Sequence, residues 1–565
     1  MPSLFASSPA HAVRLNDEMR RIERLPRRSW SVEDAERLAA ELTDALKTPN
    51  GKMALRPVQA TALAEIGMRG GLFGIIRVGA GKTLISLLAP VVAEAERPAL
   101  LIPAKLVGKT RRDLLALSVH WDIPEPRIIT YEWLGRAQAA DALDDYAPDL
   151  IVADEAHKLK NKSAAVTRRV ARYMKVNPET KIVVMSGTIT KRSLHDYVHL
   201  LRWALKTDVP LPEGYNDLEL WADALDERKG MLRRADPGAL RVLCDAEEDR
   251  MWPTNPREWA RRAYRRRLTD TSGVVSTKET SVDASLVMTC VEPPSSPAID
   301  AAFEHLRHNW ETPDGWPLAD AMQVYRHARE IALGFYYVWD PRPPRAWLDA
   351  RKAWCSFVRE TLSHSRSLDS ELQVKQQHPN APELLAWNAV KDSFTPNTKP
   401  VWLCPSVLEL CWQWLKQETG ILWTEHTYFA ERLAQMSGVR YYGAGNVSDA
   451  EKHPADKPMI VSVHAGKEGL NLQTWNTNFV VSPPPNGEQW EQLLGRTHRD
   501  GQQADEVNFD VAGFSAEHVE AFWQARRDAE YVAASLGSPQ KLLVADHDFP
   551  SVDDVALRGG GRWRK

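Results

Sequence analysis

Asp154 and Glu155 stand side by side behind the apolar run Leu150, Ile151, Val152, Ala153, and such a pair can hold a divalent cation and a water beside a phosphate. Asp154 is expected to take Mg2+, and Glu155 to polarise the attacking water. The plain alternative is a strand followed by an acidic helix N-terminus, which the macrodipole favours anyway. Upstream, residues 72–83, LFGIIRVGAGKT, read as an apolar strand running into Gly79, Ala80, Gly81, Lys82 and Thr83, with a helix from Leu84. Glycines there let backbone N–H groups wrap phosphates, Lys82 adds a cation for the β- and γ-phosphates, and the Thr83 hydroxyl joins Asp154 on Mg2+. A strict phosphate loop has glycine where this chain has Ile76, so the match is to the shorter GxGKT core. The Gln59 amide carries a donor and an acceptor together and is a candidate to read an adenine edge. ATP and Mg2+ are the cofactors this set implies.

A second constellation lies at residues 489–502, QWEQLLGRTHRDGQ. Arg496 and Arg499 are about one helical turn apart and share a face with Gln492. Such a pair is ordinarily a solvated helix face; in a chain that also holds a phosphate loop and an acidic strand end, an arginine finger for a γ-phosphate is expected. Just before it, HAGKEGLNLQ at 464–473 supplies Gly469 as a further nucleotide-site candidate and Asn471 as a backbone contact. Other candidates for a nucleic-acid backbone sit where strands end: Lys105, Lys109, Thr130, Tyr131, and Thr188 at the end of KIVVMSGT. Arg261, Arg262, Arg265, Arg266 and Arg267 form the densest basic cluster and are expected to meet phosphates, against the alternative of a structural, solvated face.

The elements that must position these residues follow from pattern. Apolar runs near 72–76, 99–103, 127–131, 150–153 and 181–188 alternate with helical stretches, which argues for one doubly wound parallel sheet. Another α/β domain begins near Pro400, with strands expected at 420–424, 459–463 and 478–482. Residues 1–50 read as amphipathic helices, with Ser31 capping a helix that runs through Leu46. From Trp203 to Pro396 the periodicity turns helical and tryptophan-rich; Pro293, Pro294 and Pro297 suggest a linker, and PRPPR at 341–345 separates two helical pieces.

Length and composition bound the rest. The 565 residues are too many for one core, so roughly two to four domains are expected. Lys plus Arg number 72 against 75 for Asp plus Glu, so attraction to nucleic acid must come from local patches and not from net charge. The five cysteines form no CxxC pair or zinc spacing and read as reduced thiols of a cytoplasmic protein. No apolar run approaches the ~18 residues needed to span a bilayer, and residues 1–20 lack a signal-peptide core, so no membrane is expected and a monomer is.

LRPVQ, VGAGKT, ITYEWL, DEAHKLKN, SGT, AGKEGLNLQ and QLLGRTHRDGQ occur in this order. With them the chain resembles the Swi/Snf-like branch of helicase superfamily two, the ATP-driven double-stranded DNA translocases, over residues 55–202 and 421–511. DEAHKLKN and GRTHRDGQ are the specific matches. The resemblance implies an α/β fold of two RecA-like doubly wound parallel-sheet lobes with helical insertions between them, and ATP bound between the lobes. Its expected organisation is an N-terminal helical arm (1–50), ATP-binding lobe 1 (51–205), a helical insertion (206–268), an interlobe linker (269–298), a second helical insertion (299–395), lobe 2 (396–515) and a C-terminal helix with a mobile tail (516–565). The chain departs from the pattern at Ile76 and Arg77, where an acidic pair is usual, at Lys467 after Gly466, and in a short segment between Gly443 and Pro458. Duplex or branched DNA is the implied partner. A strand-separating DNA or RNA helicase, and a nucleotide-gated binding module, are the competing expectations.

Overall fold

The computed structural model describes residues 11–77, 80–187, 193–226, 234–277, 284–318, 320–365, 368, 370–466 and 469–552. The chain divides into two compact units, Met1–Thr280 with Asp528–Gln540, and Ser281–Arg527 with Lys541–Lys565. Each is built on its own parallel sheet, so the fold is α/β with two RecA-like lobes.

The first sheet comprises β1 (Gly71–Ile75), β2 (Pro98–Ile102), β3 (Arg127–Thr130), β4 (Leu150–Asp154), β5 (Lys181–Met185) and β6 (Val274–Ser276), in the order β3-β2-β4-β5-β1-β6. Every pairing is parallel. β1, β2 and β4 are buried along their whole length, which explains why they are continuous apolar runs and not alternating ones: helices cover both faces. The period of two is still visible in what each side chain meets. Phe73, Leu101, Ile151, Ala153 and Val184 enter one core, while Leu72, Leu100, Leu150, Val152 and Val183 enter the other.

The first of those cores is closed by residues from well outside the alternating strands. Met19 and Ile22 of the N-terminal arm, and Leu218, Trp221, Leu240, Tyr264 and Leu268 of the following helical stretch, all pack into it. The arm forms helices Asp17–Arg24 and Val32–Leu46, and the Ser31 hydroxyl accepts from Asp34 N at 3.0 Å as the N-cap of the second.

The second unit contains β7 (Ser285–Val291), β8 (Phe335–Trp339), β9 (Thr398–Trp402), β10 (Ile421–Thr424), β11 (Tyr441–Tyr442), β12 (Met459–Ser462), β13 (Thr477–Val480), β14 (Glu506–Ala512) and β15 (Asp546–His547). Seven of them make a parallel sheet in the order β11-β12-β10-β13-β14-β7-β15, and β8 pairs antiparallel with β9. Here the sequence reading is corrected: the stretch from Trp203 to Pro396 is not purely helical, since β6, β7 and β8 lie in it. β7 draws its stability from a parallel partner, Ser285 opposite Glu506 through Val291 opposite Ala512, far along the chain. The aromatic run of β8 buries Phe335 in the lobe core. Tryptophans do also pack helices together, as Trp347 and Trp387 do edge to face at 5.4 Å between Arg345–His364 and Pro382–Val390. Among the described residues no helix is long and apolar enough to cross a membrane.

Candidate active site

β1 delivers the chain through Ile76 and Arg77 to Gly81, the N-cap of helix Lys82–Val92. Gly81 has φ +79, a backbone conformation that favours glycine, and a Cβ built on it would displace the Gln59 amide. Gln59 is buried; its Nε2 donates to Gly81 O at 3.3 Å and its Oε1 accepts from Arg56 N at 2.8 Å. The amide expected to read a base is thus tied to the Gly81 carbonyl and the Arg56 N–H. Lys82 is the first helical residue and 8% exposed, and its ammonium donates to Ile76 O at 3.3 Å and Arg77 O at 3.4 Å. Thr83 follows, half-buried, and Ala80 is buried; Gly79 lies outside the described residues.

The strand order sets β4, β5 and β1 side by side, so their C-terminal ends form one row. Asp154 ends β4, and Glu155 follows in the left-handed region at φ +54, a conformation that a non-glycine residue holds at a cost of about 1–3 kcal/mol. Glu155 Oε1 lies 3.7 Å from Lys82 Nζ, and its Oε2 lies 3.3 Å from His157 Nδ1. His157 Nδ1 is also 3.2 Å from Ser186 Oγ, just past β5. Lysine, acid, histidine and serine are therefore linked in one chain across three strand ends. Asp154 Oδ1 accepts from Glu155 N at 2.9 Å. Burial, then the Glu155 charge, push the Asp154 carboxyl up to about 6, while the Lys82 cation pulls the other way. A carboxyl so placed gains from a cation, and with the Thr83 hydroxyl it offers the hard oxygen donors that Mg2+ takes. The donor set fits that ion.

Tyr131 is a correction. Its hydroxyl donates to Asp154 O at 2.7 Å, and at 4% exposure it supports the acidic strand end and has no surface to give a DNA backbone. Thr130 Oγ1 accepts from Trp133 N at 3.1 Å, capping the helix Tyr131–Leu134. Lys105 lies in the 3₁₀ turn Ala104–Leu106 after β2, its side chain not among those described, and Thr188 lies outside the described residues.

The basic cluster is also used otherwise than expected. On helix Pro256–Thr269, Arg261 Nε donates to Leu225 O at 2.6 Å and Arg265 Nη1 to Ala533 O at 3.2 Å. Arg266 Nη2 donates to Glu248 Oε2 at 2.7 Å. Arg267, 1% exposed, donates to Ile22 O and Leu25 O at 2.8 and 2.7 Å, and burial draws its guanidinium down to about 10. Arg262 is the exposed member, lying over the Trp259 ring at 4.4 Å. Five arginines in seven residues occupy every side of a helix, and a buried side needs carbonyl partners.

In the second unit, helix Gly487–Thr497 carries buried Gln492 and Arg496. Arg496 Nε donates to Gln492 O at 3.0 Å and its Nη1 to Leu470 O at 2.9 Å. Arg499 Nη1 donates to Leu470 O at 3.4 Å and to Asn471 Oδ1, while Asn471 N donates to Glu451 Oε1 at 2.7 Å. Gly469, at φ +88, opens this turn. The helix ends at Thr497, so Arg499 lies beyond it and the expected shared helix face does not form, although both arginines donate to Leu470 O. At 5% exposure Arg496 serves its own lobe, which leaves half-buried Arg499 as the better finger candidate.

Two residues that fasten the surroundings of the turn at Gly81 were missed in the sequence. Thr277 Oγ1 accepts from Arg77 N at 3.2 Å, and Glu65 accepts from Arg28, Trp30 and Gly273. No local pattern marks either one. No family model matches the chain, and no curated protein matches it at a significant level.

Proposed function

We propose that the protein is an ATP-driven motor that translocates on double-stranded DNA and remodels bound proteins or branched DNA. What supports the hydrolytic part is one observation above all: Lys82 Nζ lies 3.7 Å from Glu155, itself joined through His157 to Ser186, at adjoining ends of parallel strands. In this reading Lys82 offers its charge to the β- and γ-phosphates as helix Lys82–Val92 presents its N-terminal N–H groups. Asp154 and Thr83 would hold Mg2+, which would supply charge neutralisation on the transferring phosphoryl group. Glu155 takes the proton of the attacking water, and its left-handed backbone turns its side chain back toward the lysine. His157 and Ser186 pass the change in Glu155's surroundings to the chain after β5. Arg499 stabilises the developing charge.

The DNA part rests on the motif resemblance, with DEAHKLKN and GRTHRDGQ its specific elements. A motor that grips phosphates in alternation needs no base contact and should be indifferent to sequence. The test is ATPase of the purified chain with duplex DNA, single-stranded DNA, RNA or none of these. Duplex should stimulate most, a triplex-forming strand should be displaced in an ATP-dependent manner, and a plain forked duplex should stay paired. Robust fork unwinding without triplex displacement would make it a helicase instead; hydrolysis indifferent to every nucleic acid would make it a nucleotide-gated binding module.

A further inference from the structure

Thr277 follows β6 directly, at the point where the chain is about to leave the first unit, whose boundary falls at Thr280. It is 8% exposed; its N–H donates to Ile75 O at 3.1 Å, and its Oγ1 accepts from Arg77 N–H at 3.2 Å. That N–H belongs to the same peptide plane as Ile76 O, one of the two carbonyls that receive the Lys82 ammonium. N–H and C=O of a trans peptide point in opposite directions and cannot turn independently. The plane is therefore held from both sides, by Thr277 on its N–H and by Lys82 on its oxygen. Losing the hydroxyl would free it to rotate and carry the lysine's acceptor away.

The other end of β6 is anchored as well. Glu65, 1% exposed, accepts from Gly273 N at 2.7 Å, Arg28 Nη1 at 3.0 Å and Trp30 Nε1 at 3.0 Å. It lies on helix Pro57–Arg69, whose first turn carries Gln59 and its grip on Gly81. β6 is thus fastened at its start to the helix that steadies one end of the phosphate loop, and at its finish to the peptide that steadies the other. A shift of this strand along its length must break one of the two.

We infer that Thr277 is a positioning residue for Lys82, through which β6 and the chain leading out of the first unit set the affinity of the phosphate loop for nucleotide. This rests on the ATP reading above. By reciprocity, whatever draws on residue 277 alters nucleotide binding, and nucleotide binding stiffens residue 277 by the same free energy.

The full-length chain and three variants test it, by titration with a fluorescent ADP analogue and by steady-state ATPase. Thr277→Val keeps the shape and removes the acceptor; it should weaken nucleotide binding about tenfold, as expected for one buried hydrogen bond, and raise KM for ATP in step, with kcat within about threefold. Thr277→Ser keeps the hydroxyl and should bind within about twofold of the native chain. Thr277→Cys, a weaker acceptor, should fall between them and carries the same comparison if the valine variant does not fold. Equal affinity in the valine or cysteine variant and the native chain overturns the inference alone. So does an equal loss in the serine variant. A native chain that binds no nucleotide removes the ATP reading and the inference with it.

Discussion

In the first unit the residue after the interior strand β4 is Glu155, and in the second the residue after the interior strand β10 is Glu425. Glu155 is held in the left-handed region, its carboxylate reaching Lys82 only at 3.7 Å, and the lysine's other partners are main-chain carbonyls. Glu425 is not among the described residues with positive φ; its Oε1 meets Arg329 at 3.2 Å, and Arg329 also donates to Pro483 O at 2.8 Å. The first arrangement keeps a cation and an acid close without a short hydrogen bond between them, and on the proposed reading an incoming phosphate would compete with the acid for the lysine. The second is a completed pair that fastens helix Ala321–Ile331 to the strand ends. What sets the first acid apart is Lys82, brought beside it by the glycine-bearing turn at Gly81.

The largest effect that would break this comparison is at Lys82. Lys82→Ala should abolish ATP hydrolysis while leaving DNA retention in a gel-shift assay intact; near-normal turnover would remove the phosphate-loop assignment. Next come the two glutamates taken together. Glu155→Gln should stall hydrolysis by about 10²–10⁴-fold, because an amide takes no proton from water. Glu425→Gln should leave turnover within about threefold and lower the melting temperature instead. Matching losses of turnover in the two variants would mean that both strand ends do chemistry. The arginines sharpen the same contrast inside the second unit. Arg499→Ala should cost about 10³-fold in turnover and little stability; Arg496→Ala should cost about 3 kcal/mol of stability, since its buried guanidinium holds Gln492 O and Leu470 O. If Arg499→Ala loses less than tenfold, the finger lies elsewhere.

The legible parts of this structure are those written in adjacent residues. β1, β2 and β4 could be read because strands buried on both faces must be apolar throughout, and the Ser31 cap because its partner is three residues away. That Lys82 and Glu155 come together was legible for the same reason, since each sits in a short motif at a strand end. What escaped was set by distant partners. β7 is a strand because β14 lies beside it, and its own sequence next to paired prolines suggested a linker. The basic run on Pro256–Thr269 gave a charge but not its acceptors, and those turned out to be carbonyls at Ile22, Leu25, Leu225 and Ala533 together with the Glu248 carboxylate. Tyr131 was placed correctly at a strand end, yet only the fold could say that its hydroxyl turns inward to Asp154 O.

The smallest expected effect separates the units by acid. His199, on helix Val198–Leu205, meets Leu159 O through Nε2 at 2.8 Å, has its Nδ1 buried without a partner, and stands edge-on to Trp203 at 5.2 Å. Burial lowers it from 6.5 to about 4; the hydrogen bond to Leu159 and the Asp196 charge oppose this, and the cations of Lys162 and Arg202 add to it. In the second unit burial also lowers His426, but there Glu425, 3.5 Å away, works against the shift. In the window between about 4 and 6.5 an unfolded chain takes up a proton at residue 199 that the native lobe refuses. Stability of the first unit therefore falls as pH drops through that window and is level in this respect above it. The contribution should be about 2 kcal/mol at most, allowing for solvent screening of a ring that is not fully buried. Leu159 closes the turn Ala156–Leu159 that follows the two acids, so the loss would begin next to the candidate site. His199→Gln removes the titration and keeps a donor for Leu159 O. Urea midpoints of the native chain and this variant, taken from pH 4.5 to 7.5, should run together above about pH 6.5 and separate toward the acid end, where the native midpoint falls and the variant's does not; parallel curves would show that His199 is not the group that makes the first unit acid-sensitive.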